Sequence, residues 1–353
     1  MSVPNLLAAA DGNLAGPYVH HPPVYRSSVL ASLGTPRPTT IEELLGPNLA
    51  ARLDRMDILT RKMFAGKLPG ERRSKRRGRS VEFDDFRDYI PGDDLRHIDW
   101  NVLARLDKLF IKLFREDEDL SVHLFVDSSL SMDSGEPSKL LFAHRLAMAL
   151  AYVGLVKQNR VAVSCYTPHT RPMLRQLAAA RGRPSAQRIG KFLLETLAAR
   201  PEGGTVSSGD LNTALKTAAA SRTGKGVMIV LSDFLVPEGY AAGLNALAAG
   251  GAGVAGFDTY CLQVVSQAEL DPRKDSTRTL VGDLRLSDIE TGRGVDVTLS
   301  AALLNRYRTR FASFTQDLRS ACRARGIAHM QVMSDTPVDR FIMDTLRRGG
   351  LLR

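Results

Sequence analysis

Short, unbroken apolar runs alternate along this chain with longer stretches whose apolar residues recur at helical spacing. The runs are Ser121 to Val126 (SVHLFV), Val161 to Tyr166 (VAVSCY), Val227 to Leu231 (VMIVL), 257–265 and 327–333. Runs of this length without polar alternation predict strands buried on both faces. Helical patterns lie between and after them, at about 137–157, 184–199, 209–220, 237–249, 300–325 and 337–347. Alternating β and α units predict an α/β fold, a doubly wound, mostly parallel sheet with helices on both faces. Residues 266–299 break the alternation. Two short polar/apolar alternations, TRTLVGDLRL and GVDVTL, flank Glu290-Thr291-Gly292 and predict an inserted β-hairpin.

The chain before the sheet has a different character. Residues 1–38 are rich in Ala, Gly, Pro and Ser without sustained periodicity, and read as a disordered tail. Ile41, Leu44, Leu45, Leu49, Leu53, Met56, Leu59 and Met63 recur at helical spacing. Thr39 with Glu42 and Thr40 with Glu43 both fit a capping box at the start of that helix, and Gly66 with Pro69-Gly70 ends it. Residues 70–118 are charged and turn-rich. The expected organisation is therefore a tail (1–38), an N-terminal helix and charged segment packed on the sheet (39–118), and the sheet domain (119–353).

Composition adjusts this picture little. The chain has 353 residues, 44% hydrophobic and 24% charged, so most of it can bury a core. Three cysteines, Cys165, Cys261 and Cys322, lie far apart with no CxxC, the usage of buried thiols in a reducing compartment. No run approaches the roughly 20 apolar residues of a membrane span, and the expected address is the cytoplasm. The net charge is +10, and part of the excess lies in 71–79, ERRSKRRGR. That run suits phosphate contacts, and equally a solvated loop or one paired with the acidic FDDFRDYIPGDD that follows. Aromatics are sparse at 6%, which weakens a base-stacking surface for single-stranded nucleic acid.

The candidate chemistry lies at strand ends, where open α/β sheets bind ligands. Asp127-Ser128-Ser129-Leu130-Ser131 follows the first buried run, Ser232-Asp233 follows VMIVL, and Gly203-Gly204-Thr205 precedes a helix between them. Asp127, Ser129, Ser131, Thr205 and Asp233 offer two carboxylates and three hydroxyls. Oxygen donors of this kind suit a hard cation such as Mg²⁺, with Mn²⁺ or Ca²⁺ as alternatives. Two carboxylates leave a divalent ion without excess negative charge, so an outside carboxylate can complete its shell. Each piece alone is ordinary turn or capping chemistry. Asp133 reads as a rim residue.

VHLFVDSSLSM, GGTVSSGDLNTAL and VMIVLSDF resemble the metal-ion-dependent adhesion site of von Willebrand factor A-type domains. That resemblance implies a doubly wound sheet with Asp127, Ser129, Ser131, Thr205 and Asp233 around one cation, completed by an Asp or Glu from a partner protein. The preceding segment, GRSVEFDDFRDYIPGDDLRHIDWNVLARLDKLFIKLFREDED, is similar to the signature of the family called domain of unknown function 58. With YRTRFASFTQDLRSACRARGIAHMQV this resemblance runs from about residue 40 to the end. It implies action beside a MoxR-type AAA+ ATPase in assembling or maturing other proteins. Within the signature, Asp93 and Asp94 suit pairing with Arg87, Arg96 or Arg105, with Trp100 as an apolar plug; a recognition surface is the alternative.

Catalytic motifs are missing from the sequence. GxSxG, HExxH and GxxxxGK[ST] do not occur, and no strand-end position places a histidine beside Ser129 or Ser131. The expectation is a protein-interaction module that is not an enzyme. A nucleic-acid binder acting through 71–79 and a Mg²⁺-dependent phosphohydrolase are the alternatives.

Overall fold

The computed structural model describes residues 37–46, 49–60, 81–91, 93, 95–116, 120–168, 170–199, 210–236, 238–249, 257–272, 282–287 and 294–353. Of the tail expected over 1–38, residues 1–36 lie outside them, whereas Arg37 is placed and pairs with Asp133; the basic run 71–79 and Thr205 also lie outside them. The chain divides into two compact units, Met63–Asp119 and the remainder.

In the larger unit, helices α1 (Ile41–Leu45) and α2 (Leu49–Leu53) come first. Within Met63–Asp119 follow β1 (Val81–Asp88), α3 (Trp100–Leu106) and β2 (Phe110–Glu116). The larger unit resumes with β3 (Leu120–Asp127), α4 (Lys139–Val156), β4 (Arg160–Tyr166), β5 (Leu174–Ala180), α5 (Ser185–Ala198), α6 (Leu211–Ala220) and β6 (Lys225–Ser232). It ends with α7 (Ala241–Ala249), β7 (Phe257–Val265), α8 (Gln267–Leu270), β8 (Gly282–Ser287), β9 (Gly294–Leu299), α9 (Ala301–Ala324) and β10 (Ala328–Met333), then a short turn of helix and a π-helix to Leu346.

Six strands form one sheet in the order β10-β7-β6-β3-β4-β5, parallel except for β5. The architecture is α/β, a mostly parallel mixed sheet flanked by helices and compatible with a doubly wound, Rossmann-like winding. From β3 the chain first adds β4 and β5 on one side, then β6, β7 and β10 on the other. The winding therefore reverses between β3 and β6, the place where such sheets open a crevice at their carboxyl ends.

Both faces of the central strands are covered, which is why they read as continuous apolar runs. Phe125, Met228, Val230, Phe257 and Cys261 pack with Leu211, Leu215, Leu244, Leu247, Leu318 and Cys322 from α6, α7 and α9. The opposite face takes α4, whose Gly154 lies over Val122 and Val161. Helix α4 is apolar all round and 83% buried, the profile of a core helix. Gly226 lets β6 approach β3, since a Cβ there would come within 1.8 Å of the Ser121 carbonyl oxygen.

Several expectations need correction. Of the single helix expected from Thr39 or Thr40 up to Gly66, the described residues form two short ones, the first ended by Gly46, whose φ is +89°. The Thr40–Glu43 capping box forms; in it Glu43 also accepts from the Thr39 N–H, at 2.8 Å. Beyond α2 the chain is extended, and Ile58 bridges Leu352 near the C-terminus. Strand β5 was missed because LRQLAAA is an Ala-rich, largely exposed edge strand with little period-two signal. Strands β8 and β9 pair antiparallel, from Gly282↔Leu299 to Ser287↔Gly294; the turn expected at 290–292 lies outside the described residues.

The smaller unit, expected as turns, holds the antiparallel pair β1–β2. Its register shifts between Phe83 and Asp85, a bulge that disrupts the alternation by which a strand is recognised. Arg87 donates to Asp93 at 2.9 Å, as the charge pattern suggested. Asp99 caps α3 and pairs with Lys112 at 3.0 Å. Trp100 is no apolar plug: it is 62% exposed, as first residue of a seven-residue helix without a buried side chain.

Candidate functional site

Asp127 is the last residue of β3, and register decides what it meets. Val126 lies beside Leu231 of β6, so the next step brings Asp127 level with Ser232. Ser232 donates its hydroxyl to Asp127 Oδ2 at 2.6 Å and accepts the Phe234 N–H at 3.0 Å. Asp127 Oδ1 accepts the Ser129 N–H at 2.9 Å, which folds the loop back over the strand end. The loop then enters a 3₁₀ turn, Leu130–Asp133, held by the buried Met132 and by Ser134 donating to the Ser131 carbonyl at 2.6 Å. This turn sets the Ser129 and Ser131 hydroxyl oxygens 3.0 Å apart.

Four of the five predicted ligands thus lie in two adjacent strand-end loops: Asp127, Ser129, Ser131 and Asp233. All four are buried. The fifth, Thr205, lies outside the described residues. Ser128 between them has a buried hydroxyl with no hydrogen-bond partner among the described residues. Asp133 turns outward and accepts from Arg37 at 2.6 Å and from Ser138 at 3.3 Å, a rim position.

Asp233 is engaged on both oxygens. Oδ1 accepts the Leu235 N–H at 3.0 Å, and Oδ2 accepts from Lys139 Nζ at 2.7 Å. Phe234 between them takes φ +59°, a left-handed turn that points the loop back into the core. Lys139, fully buried at 0% exposure, also donates to Glu269 in a short ion pair. Glu269 lies in α8, just after β7. Its Oε2 accepts the Ser266 N–H at 2.8 Å, and its backbone carbonyl accepts the Tyr307 hydroxyl at 2.7 Å. Gly135 admits this packing, since a Cβ there would come within 2.5 Å of Ser266 Cβ.

The electrostatics follow from this wiring. Burial, then the neighbouring Asp233 charge, push the Asp127 carboxyl up to about 6 against the pull of its hydrogen bonds. Burial acts upward on Asp233 as well, but the Lys139 ammonium outweighs it and holds that carboxyl below its usual range. Burial works against the Lys139 charge, and the Asp233 and Glu269 carboxylates overcome it. Glu269 stays raised by burial despite Lys139. Two buried carboxylates, Asp233 and Glu269, therefore share one ammonium, and Asp127 beside them has no cationic partner among the described residues.

Lys139, Glu269 and Ser232 were not singled out from the sequence. Lys139 carried a signal: it is the first residue of an apolar helix, the end where the helix dipole disfavours a cation. Ser266 and Glu269 stand at capping-box spacing right after a buried strand, and that box forms. The described histidine side chains go elsewhere. His144 bonds the Leu140 carbonyl and Thr196, His329 bonds Gln263, and His123 stacks edge-on to Phe257. Among the described residues none hydrogen-bonds Ser129 or Ser131. Nor does any trio of His, Cys, Asp and Glu gather at metal-binding distance among them, so the candidate set depends on hydroxyl donors.

Residues 85–320 match the family described as protein of unknown function DUF58. The chain belongs to this family. Similar relatives are the uncharacterized proteins Mb1516 of Mycobacterium bovis and Rv1480 of Mycobacterium tuberculosis, each 27% identical over 311 residues, covering 86% of this chain and 92% of the relative. Uncharacterized protein MAV169 of Mycobacterium avium is 29% identical over 163 residues, 45% of this chain and 89% of the relative. Among solved structures, the pilus adhesin SpaC of Lactobacillus rhamnosus GG is similar over 67% of this chain, with a TM-score of 0.40 and 10% identity. The match spans about a third (32%) of the adhesin's length.

Proposed function

We propose that this DUF58 protein is a non-catalytic interaction module of the von Willebrand factor A type. Its β3 and β6 ends hold one divalent cation, Mg²⁺ in the first instance, and that ion captures an Asp or Glu carboxylate from a partner protein. One observation carries the reading: at the point where the winding reverses, Asp127 and Asp233 flank hydroxyls of Ser129 and Ser131 that already lie 3.0 Å apart. The donor set fits the group. Oxygen-only ligands suit Mg²⁺, and a buried carboxylate lacking a cation accommodates positive charge. When bound, the ion supplies a Lewis-acidic coordination position for an incoming carboxylate. Ser129 and Ser131 would hold it directly, Asp127 and Asp233 would supply charge, and Thr205 is the fifth candidate ligand.

The protein's own part is positioning. Ser232 and the Ser129 amide fix the Asp127 carboxylate, while Lys139 and the Leu235 amide fix Asp233. The reading is capture of a carboxylate, not turnover. The partner proposed from family resemblance is a MoxR-type AAA+ ATPase or its client, in assembly or maturation of other proteins.

The test is capture of the purified MoxR-type ATPase by immobilised full-length protein in Mg²⁺ and in EDTA. Retention should fall at least about tenfold in EDTA, a coupling of the usual size, and Asp127→Ala should match the EDTA result. Retention that ignores both chelator and substitution refutes metal-dependent capture.

A further inference from the structure

We propose that Lys139 is an internal cation that competes with the divalent ion for the charge of Asp233, and that Glu269 sets how strongly it competes; the inference rests on the metal reading above. Lys139 is fully buried and divides its ammonium between Asp233 Oδ2, at 2.7 Å, and Glu269 Oε1. Asp233 belongs to the candidate ligand set, whereas Glu269 does not. Every increment of Lys139 charge directed to Asp233 is an increment that a cation at the strand ends must do without.

The arrangement looks poorly suited to structural gain alone. A buried ion pair barely offsets its desolvation, and here the ammonium also stands at the first turn of α4, where the helix dipole opposes it. Glu269 compensates from the other side. It is fixed by its capping box with Ser266 and by Tyr307 on its carbonyl, so it cannot follow Lys139 toward the site. The result is a graded counter-charge. With Lys139 in place, Asp127 is the candidate carboxylate without a cationic partner among the described residues, and a bound ion stays electron-poor. An electron-poor ion binds an outside carboxylate better and is itself held more loosely. Lys139 is thus a positioning and tuning residue that exchanges metal affinity for capture.

The two ends of the triad predict opposite effects, which a scaffolding role does not. Lys139→Met removes the competing charge while keeping the stem's volume. Glu269→Gln removes the carboxylate charge and retains one acceptor oxygen, for either Lys139 or the Ser266 N–H, which frees the ammonium for Asp233. Mn²⁺ is titrated calorimetrically into full-length wild type and both variants, with far-UV circular dichroism to confirm folding. Lys139→Met should bind Mn²⁺ about tenfold or more tightly, and Glu269→Gln should bind it several-fold more weakly, as unit charges this close to the site require. In Lys139→Met the Mn²⁺-induced rise in Tm should also exceed that of wild type.

A folded Lys139→Met with unchanged or weaker Mn²⁺ affinity overturns the inference while leaving the metal reading standing. Binding by Lys139→Met but not by wild type has the opposite meaning: Lys139 then replaces the ion, and the metal reading falls. Absence of Mn²⁺ binding in all three ends both. Should Lys139→Met fail to fold, Glu269→Gln decides alone, and unchanged affinity there refutes the idea.

Discussion

Two aspartates, each at the end of a buried strand, have opposite electrostatic fates. Asp233 has an ammonium on Oδ2 and an amide on Oδ1; Asp127 has a hydroxyl and an amide. Dipoles stabilise a carboxylate less than a full charge does, so burial wins at Asp127 and loses at Asp233. The serines beside them are less committed. The one described partner of the Ser131 hydroxyl is Ser129, 3.0 Å away. Ser131→Ala therefore gives up one hydrogen bond, about 0.5–1.5 kcal/mol, and the fold should survive with a Tm lowered by a few degrees. Its Mn²⁺ affinity, read by calorimetry, should drop about tenfold, the loss of one oxygen ligand's worth of binding. An unaltered affinity would remove Ser131 from the ligand set. At this scale the sequence was informative where a residue's chemistry is local and blind where it is borrowed. Asp127-x-Ser-x-Ser is visible as a spacing. Lys139 acquires its meaning from Asp233 and Glu269, 94 and 130 residues away.

Among elements, the buried strands were the most legible, because two covered faces leave no polar alternation in them. Leu120–Asp127, Lys225–Ser232 and Phe257–Val265 are almost wholly buried, and their ends fall where the apolar runs stop. Exposed or irregular strands were lost for the converse reason. β5 is an exposed edge, and β1 is charged and bulged. The N-terminal helix was overextended because apolar spacing continues through Gly46 while the backbone turns left-handed there. Helix packing also makes a pH prediction. His144 of α4 is fully buried, bonded to the Leu140 carbonyl and to Thr196 of α5, and burial lowers its pKa from 6.5 to about 4. Arg37 and Asp133 are the charged groups nearest in effect, and they act in opposite directions. The native state thus binds fewer protons than the unfolded chain between those values. Stability is intact above about 6.5 and is lost as pH falls toward 4, by about 3 kcal/mol at most for this group. Urea midpoints measured from pH 7 to 4.5 should decline more steeply in wild type than in His144→Gln. Parallel curves would mean that His144 titrates normally.

For the whole molecule, the order β10-β7-β6-β3-β4-β5 matters more than any single contact. It puts the two strands that carry the aspartates side by side at the reversal of winding, though they are more than a hundred residues apart in sequence. The alternation of β and α units pointed to a mostly parallel, doubly wound sheet, but not to its strand order or to the antiparallel edge strand β5. What the alternation did not reveal is the segment Met63–Asp119, which forms its own compact unit around a two-stranded pair. Its apolar side chains Ile90, Leu95, Trp100 and Leu106 are more than half exposed, an outcome that charge spacing alone does not forecast.

The central claim is that the ends of β3 and β6 bind one divalent cation. It is tested most directly by titrating Mn²⁺ into the metal-free, full-length protein and into Asp127→Ala. The account predicts one site per chain in the wild type and no measurable binding in the variant at the same concentrations, with both proteins folded. Equal binding by the two, or none by the wild type at millimolar Mn²⁺, would contradict it.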